Sequence, residues 1–137
     1  MLNDLPGLRV YCDWPPSIVP EVEIAYKQCV AKADNPNYAH VRLAQVKKWP
    51  KREHLENIRR SGCFRFTKEC TFHKMEFGTA ERLVGLAKSQ GGVAALLKEG
   101  VSEEEIGLVK LREAVRRRLG DRPVPWFWSY RVRIGVK

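Results

Sequence analysis

Residues 63–74 read CFRFTKECTFHK and carry the strongest strand signal in the chain. Phe64, Phe66, Cys70 and Phe72 fall on one parity, with Lys68 breaking the row; that alternation fits a half-buried strand. Upstream, Trp49-Pro50 opens a helix over 51–61 whose core face is Leu55 and Ile58, and Gly62 suits its C-cap because glycine adopts the left-handed conformation cheaply. Downstream, Gly78-Thr79 caps a helix in which Ala80, Leu83, Val84 and Ala87 recur at i, i+3, i+4, i+7. Gly91-Gly92 breaks it, and 93–98 resume a short helical segment.

The remaining elements follow the same rules. Ser102-Glu103-Glu104-Glu105 is a capping box that starts a helix over 103–119, oriented by burial of Leu108, Leu111 and Val115. Arg116, Arg117 and Arg118 favour its last turn, and Gly120 closes it. Residues 126–136 form a final strand, with Tyr130, Val132, Ile134 and Val136 facing one way and Arg131 and Arg133 the other. Near the start, 8–13 read as a short strand stopped by Trp14-Pro15-Pro16. Pro20 then begins a helix with Ile18, Val22, Ala25, Cys29 and Ala33 as its apolar stripe. Residues 34–37 are a turn-rich loop, and 38–48 read as an irregular or partly helical connection. The order β-α-α-β-α-α-α-β argues for an α/β layer with about five helices.

A chain of 137 residues fits one domain and can bury a core without metal or disulfide staples. No apolar run approaches a membrane span, and residues 1–7 have no signal-peptide pattern, so a cytoplasmic protein without membrane contact is expected. Cys12, Cys29, Cys63 and Cys70 are irregularly spaced, and Cys70 with His73 lacks a second ligand pair, so no metal site is expected.

The net charge of +9 is a weak pointer to nucleic acid. Lys47-Lys48, Lys51-Arg52, Arg59-Arg60 and Arg116-Arg117-Arg118 lie near Trp49, Trp126 and Trp128. Packing explains those aromatics, which leaves a basic nucleic-acid-binding module, or an interaction domain without ligand, as the alternatives to the reading below.

No glycine-rich phosphate loop and no G-x-S-x-G elbow occurs. Asp13-Trp14-Pro15-Pro16 makes a rigid rim at a strand's carboxyl end, the edge where open α/β sheets bind ligands. His73 ends a strand, which makes Asp13, Trp14 and His73 the candidate substrate-side rim; no catalytic residue is assigned.

The order of elements over 5–137 resembles the C-terminal part of class I S-adenosylmethionine-dependent methyltransferases. Residues 8–13 look like the fifth strand of that fold, CFRFTKECTFHK the sixth and WFWSYRVRIGV the seventh; AERLVGLAKSQGG and PWFWSYRVRIGVK are similar in wording to the ends of small-molecule-type methyltransferases. The resemblance implies a truncated methyltransferase-like protein, inactive alone, keeping the acceptor-substrate side. Strands one to four and the glycine-rich cofactor loop are missing from it, so no cofactor residue carries over, and S-adenosylmethionine would bind only if a complementary half were supplied. It further implies a three-stranded mixed sheet in the order first–last–middle, with the last strand antiparallel, like the C-terminal half of a Rossmann-like methyltransferase. The unpaired edge at 8–13 then implies a homo-oligomer or a complementary N-terminal half as partner.

Overall fold

Along the chain, the elements of this computed structural model are strand β1 (Arg9–Cys12), helices α1 (Pro20–Ala31) and α2 (His54–Arg60), strand β2 (Phe66–Gly78), helices α3 (Ala80–Ser89), α4 (Gly91–Lys98), α5 (Glu103–Ile106) and α6 (Leu108–Leu119), and strand β3 (Val124–Val136). The structure describes residues 9–41 and 50–137, so most of the ambiguous connection over 38–48 and the Trp49 start signal lie outside the described residues. The chain packs as two compact units. Unit 1 comprises Met1–Trp14, Lys47–Lys74 and Trp128–Lys137, and unit 2 comprises Pro15–Val46 and Met75–Phe127.

Unit 2 is helical because its sequence caps and stripes its helices. Pro20 sits at the first position of α1, with Glu21 and Glu23 in the first turn, where the helix dipole favours acids. Val22, Tyr26 and Cys29 are its buried residues. Thr79 caps α3 by accepting the Arg82 N–H at 3.3 Å. All four expected stripe residues of α3, Ala80, Leu83, Val84 and Ala87, are buried. The break after α3 falls at Gln90, whose extended backbone lets α4 start at Gly91. Leu83, Leu96, Leu108 and Leu111 are at most 1% exposed. Each such leucine contributes roughly 1.5–3 kcal/mol of hydrophobic stabilisation.

Ser102 accepts the Glu105 N–H at 3.1 Å, as the capping box requires. The helix it starts does not run unbroken to Leu119. Gly107, at φ +94°, ends α5 and restarts the chain as α6, and only glycine takes that conformation without strain. The apolar stripe continues across the break, with Ile106, Leu108, Leu111 and Val115 all buried.

The sheet corrects the expected fold class. β1 pairs antiparallel with β3, Val10 opposite Val132 and Cys12 opposite Tyr130. The strand order is β1-β3-β2. In unit 1, Glu69 Oε2 lies 2.5 Å from Arg133 Nε and His73 Nδ1 lies 3.2 Å from Ser129 Oγ. Partner numbers fall along β3 as they rise along β2, so this contact is antiparallel as well. The expected mixed sheet of a Rossmann-like half is therefore replaced by antiparallel pairing. The helices between the strands led to the wrong class: separation by helices is compatible with parallel crossovers but does not impose them, and backbone ladders decide direction.

Within unit 1, α2 turns one half-buried side, Leu55 and Ile58, inward, and Gly62 at φ +65° follows it as a left-handed cap. Among the described residues, no helix is long and apolar enough to cross a membrane.

Candidate nucleic-acid interface

The sheet of unit 1 has two chemically different faces. Side chains alternate along a strand, so Thr67, Glu69, Thr71 and His73 share one face of β2, and Phe66, Lys68, Cys70, Phe72 and Lys74 share the other. On the first face Glu69, Thr71 and His73 are exposed, and Glu69 meets a buried arginine. Arg133 is 2% exposed; its Nε donates to Glu69, and Nη1 donates to the backbone oxygen of Lys51. A guanidinium satisfied this way fixes the β2–β3 offset, because a buried arginine without its acceptors would be strongly destabilising.

The second face lies open. Phe66 is 53% exposed, Phe72 56% and Val136 41%. Between them Tyr130, Val132, Ile134, Cys12 and Cys70 are half-buried. Cys12 of β1 stands opposite Tyr130 of β3. The face thus presents aromatic rings with two exposed lysines, Lys68 and Lys74, in the same row of β2.

Charge is divided unevenly between the units. By sequence, unit 1 holds 13 Lys and Arg against 5 Asp and Glu, a net +8. Unit 2 holds 12 against 11, a net +1. Nearly all of the chain's +9 therefore belongs to the unit with the open sheet face. Arg52, Arg60, Arg65, Lys68 and Lys137 are exposed there. Arg59 is also exposed, its Nε 3.4 Å from Thr67 Oγ1.

In unit 2 several basic residues are paired with acids. Arg117 and Arg118 of α6 both bind Glu21 of α1, and they hold its carboxyl below the usual carboxylate range. Lys88 and Arg112 share Glu103, Arg112 Nη2 at 2.8 Å, and hold that carboxyl low in the same way, Lys88 foremost. Of the arginine run 116–118, two members thus serve to join α6 to α1. A cavity of about 240 Å³ between α3 and α6 is lined by Glu81, Val84, Lys88, Arg112 and Arg116. Two of its three cations are those already held by Glu103.

The structure brings the expected rim residues together, around Trp128 and Ser129. Asp13 donates its backbone N–H to Ser129 O at 2.9 Å, and its carboxylate stands 3.9 Å from Arg131 Nε. Trp14 meets Trp128 edge-on, with ring centroids 5.0 Å apart. His73 reaches the Ser129 hydroxyl. His73 does not end its strand, because β2 continues to Gly78; its imidazole and the Ser129 hydroxyl make a hydrogen-bonded pair within the sheet, beside Asp13 and Trp14 at the end of β1. No three His, Cys, Asp or Glu among the described residues could hold a metal ion.

The shared parity of Phe66 and Phe72 fits a half-buried strand, and the structure leaves both more than half exposed. The contrary signal was in the same stretch: Lys68 and Lys74 share their parity, and a core face would not carry two lysines. No protein-family model and no curated protein matches this chain.

Proposed function

We propose that this protein binds nucleic acid through unit 1. The observation that carries the reading is the segregation of charge: +8 of the net +9 lies in one unit, while the other is nearly neutral. A basic domain kept only for solubility has no reason to concentrate its charge, whereas phosphate neutralisation with counterion release rewards concentration. The exposed Arg65 and Lys68 beside an open sheet face place cations where a polyanion could approach.

The truncated-methyltransferase reading is set aside because it assigns no residue of this chain to S-adenosylmethionine. The nucleic-acid reading takes precedence because it uses residues that are present.

Fluorescence anisotropy with a labelled mixed-sequence oligonucleotide tests it. Binding at low salt that weakens steeply as salt rises is the expected result. Absence of binding at low salt would remove the reading.

A further inference from the structure

We infer that the open sheet face of unit 1 selects single strands over duplexes by stacking unpaired bases on Phe72 and Phe66. The inference rests on the nucleic-acid reading above and adds the form of the ligand. Charge alone does not distinguish a duplex from a single strand, because both present phosphates. Exposed rings do distinguish them: bases in a duplex already stack on one another, and only an unstacked base can lie on a phenyl ring.

The geometry suits an extended chain. Phe66 and Phe72 lie on the same face of one strand, six residues apart, a span of about 20 Å at the usual strand rise. Both rings are more than half exposed, at 53% and 56%. Lys68 lies between them and Lys74 lies beyond Phe72, all in one row. A strand of nucleic acid following that row meets ring and cation in turn: Phe66, Lys68, Phe72, Lys74. Half-buried Tyr130 of β3 adds a further ring to the sheet. The partner is therefore a polyanion with accessible π faces. A purely apolar protein segment would gain nothing from the lysines, and a duplex would gain nothing from the rings.

The test compares a labelled oligothymidylate, the matching oligouridylate and a blunt duplex of equal length, each titrated into the whole chain at one low salt concentration. Tighter binding of the single strands is expected, and either sugar supports the inference. Phe72→Ala and Phe66→Ala should each weaken single-strand binding about tenfold while leaving duplex binding unchanged. Phe72→Trp should hold the affinity, whereas Phe72→Leu, which keeps an apolar side chain but no ring, should lose it as Ala does. Because the two positions are exposed, circular dichroism should show all variants folded. Duplex binding as tight as single-strand binding, or full affinity in Phe72→Leu, would overturn the stacking inference while leaving nucleic-acid binding by unit 1 standing. Failure of every oligonucleotide to bind would overturn both.

Discussion

Arg133, 2% exposed, donates its Nε to Glu69 at 2.5 Å across β2 and β3 of unit 1. The same guanidinium also reaches the backbone oxygen of Lys51. The pair sets which residues of the two strands stand opposite each other, and thereby assigns Phe66, Lys68, Phe72 and Lys74 to the open face. A slip of one residue would exchange the two faces.

Arg133→Ala should therefore destabilise unit 1 by about 2–3 kcal/mol, since it leaves a carboxylate and a carbonyl without their donor. Arg133→Met, which keeps most of the buried volume, should lose less. Urea unfolding followed by tryptophan fluorescence checks the order of the two variants. Equal stability of Arg133→Ala and the parent would refute the role given to this pair.

Two glycines of unit 2 should respond in opposite directions to alanine. A Cβ on Gly78 would sit 2.1 Å from the Trp126 ring, which is itself fully buried, so Gly78→Ala should cost about 1–3 kcal/mol through overpacking. Gly85 lies within α3, with nothing within 4 Å of its Cβ position. Gly85→Ala should stabilise by about 0.5–1 kcal/mol through helix propensity. Thermal unfolding midpoints distinguish the two, and a lowered midpoint for Gly85→Ala would contradict the packing described.

Acid should weaken unit 2 through Glu21 and Glu103. Arg117 and Arg118 lower the first carboxyl, and Lys88 and Arg112 the second, from the ordinary value of 4.5. A carboxyl lowered in the folded state contributes stability that is present above its unfolded pKa and lost as pH falls through its folded pKa. The loss should thus begin near pH 4.5 and grow below it. Glu103→Gln should flatten that part of the stability–pH curve. An unchanged slope in this variant would show that the charge cluster does not stabilise the fold.

Thiol chemistry should separate the cysteines. Burial pushes the Cys29 thiol up to about 11, and Cys63 is exposed. At mildly alkaline pH, iodoacetamide should modify Cys63 readily, while Cys29 should react only on unfolding. Mass spectrometry of peptides from briefly treated protein reads this directly, and early labelling of Cys29 would contradict its burial.

Local signals in the sequence were reliable where a few neighbouring residues decide the outcome. The Thr79 and Ser102 caps and the stripe of Ala80, Leu83, Val84 and Ala87 are examples. The break at Gly107 was hidden, because the apolar period continues through it from Ile106 to Leu108 and Leu111. Strand direction was not legible in the strand residues themselves, since alternation is the same in parallel and antiparallel strands; the expectation of an antiparallel last strand came from the resemblance. Asp13, Trp14 and His73 were singled out on local grounds, and the fold does gather them at Trp128 and Ser129. The interface itself could not be read along the chain. Its cations come from segments as far apart in sequence as Arg65 and Lys137, and only the division into units reveals that their charge is concentrated.

The salt dependence of oligonucleotide binding, compared between matched charge variants, tests the central claim most directly. Arg65→Gln/Lys68→Gln/Lys74→Gln removes three cations from unit 1, and Lys98→Gln/Lys110→Gln/Arg116→Gln removes three from unit 2. The slope of log affinity against log salt should shrink by about 2 in the unit 1 variant, at ~0.7 per lost phosphate contact on a single strand, and should not change in the unit 2 variant. Equal slopes in both variants, or a loss confined to the unit 2 variant, would contradict the assignment of nucleic-acid binding to unit 1.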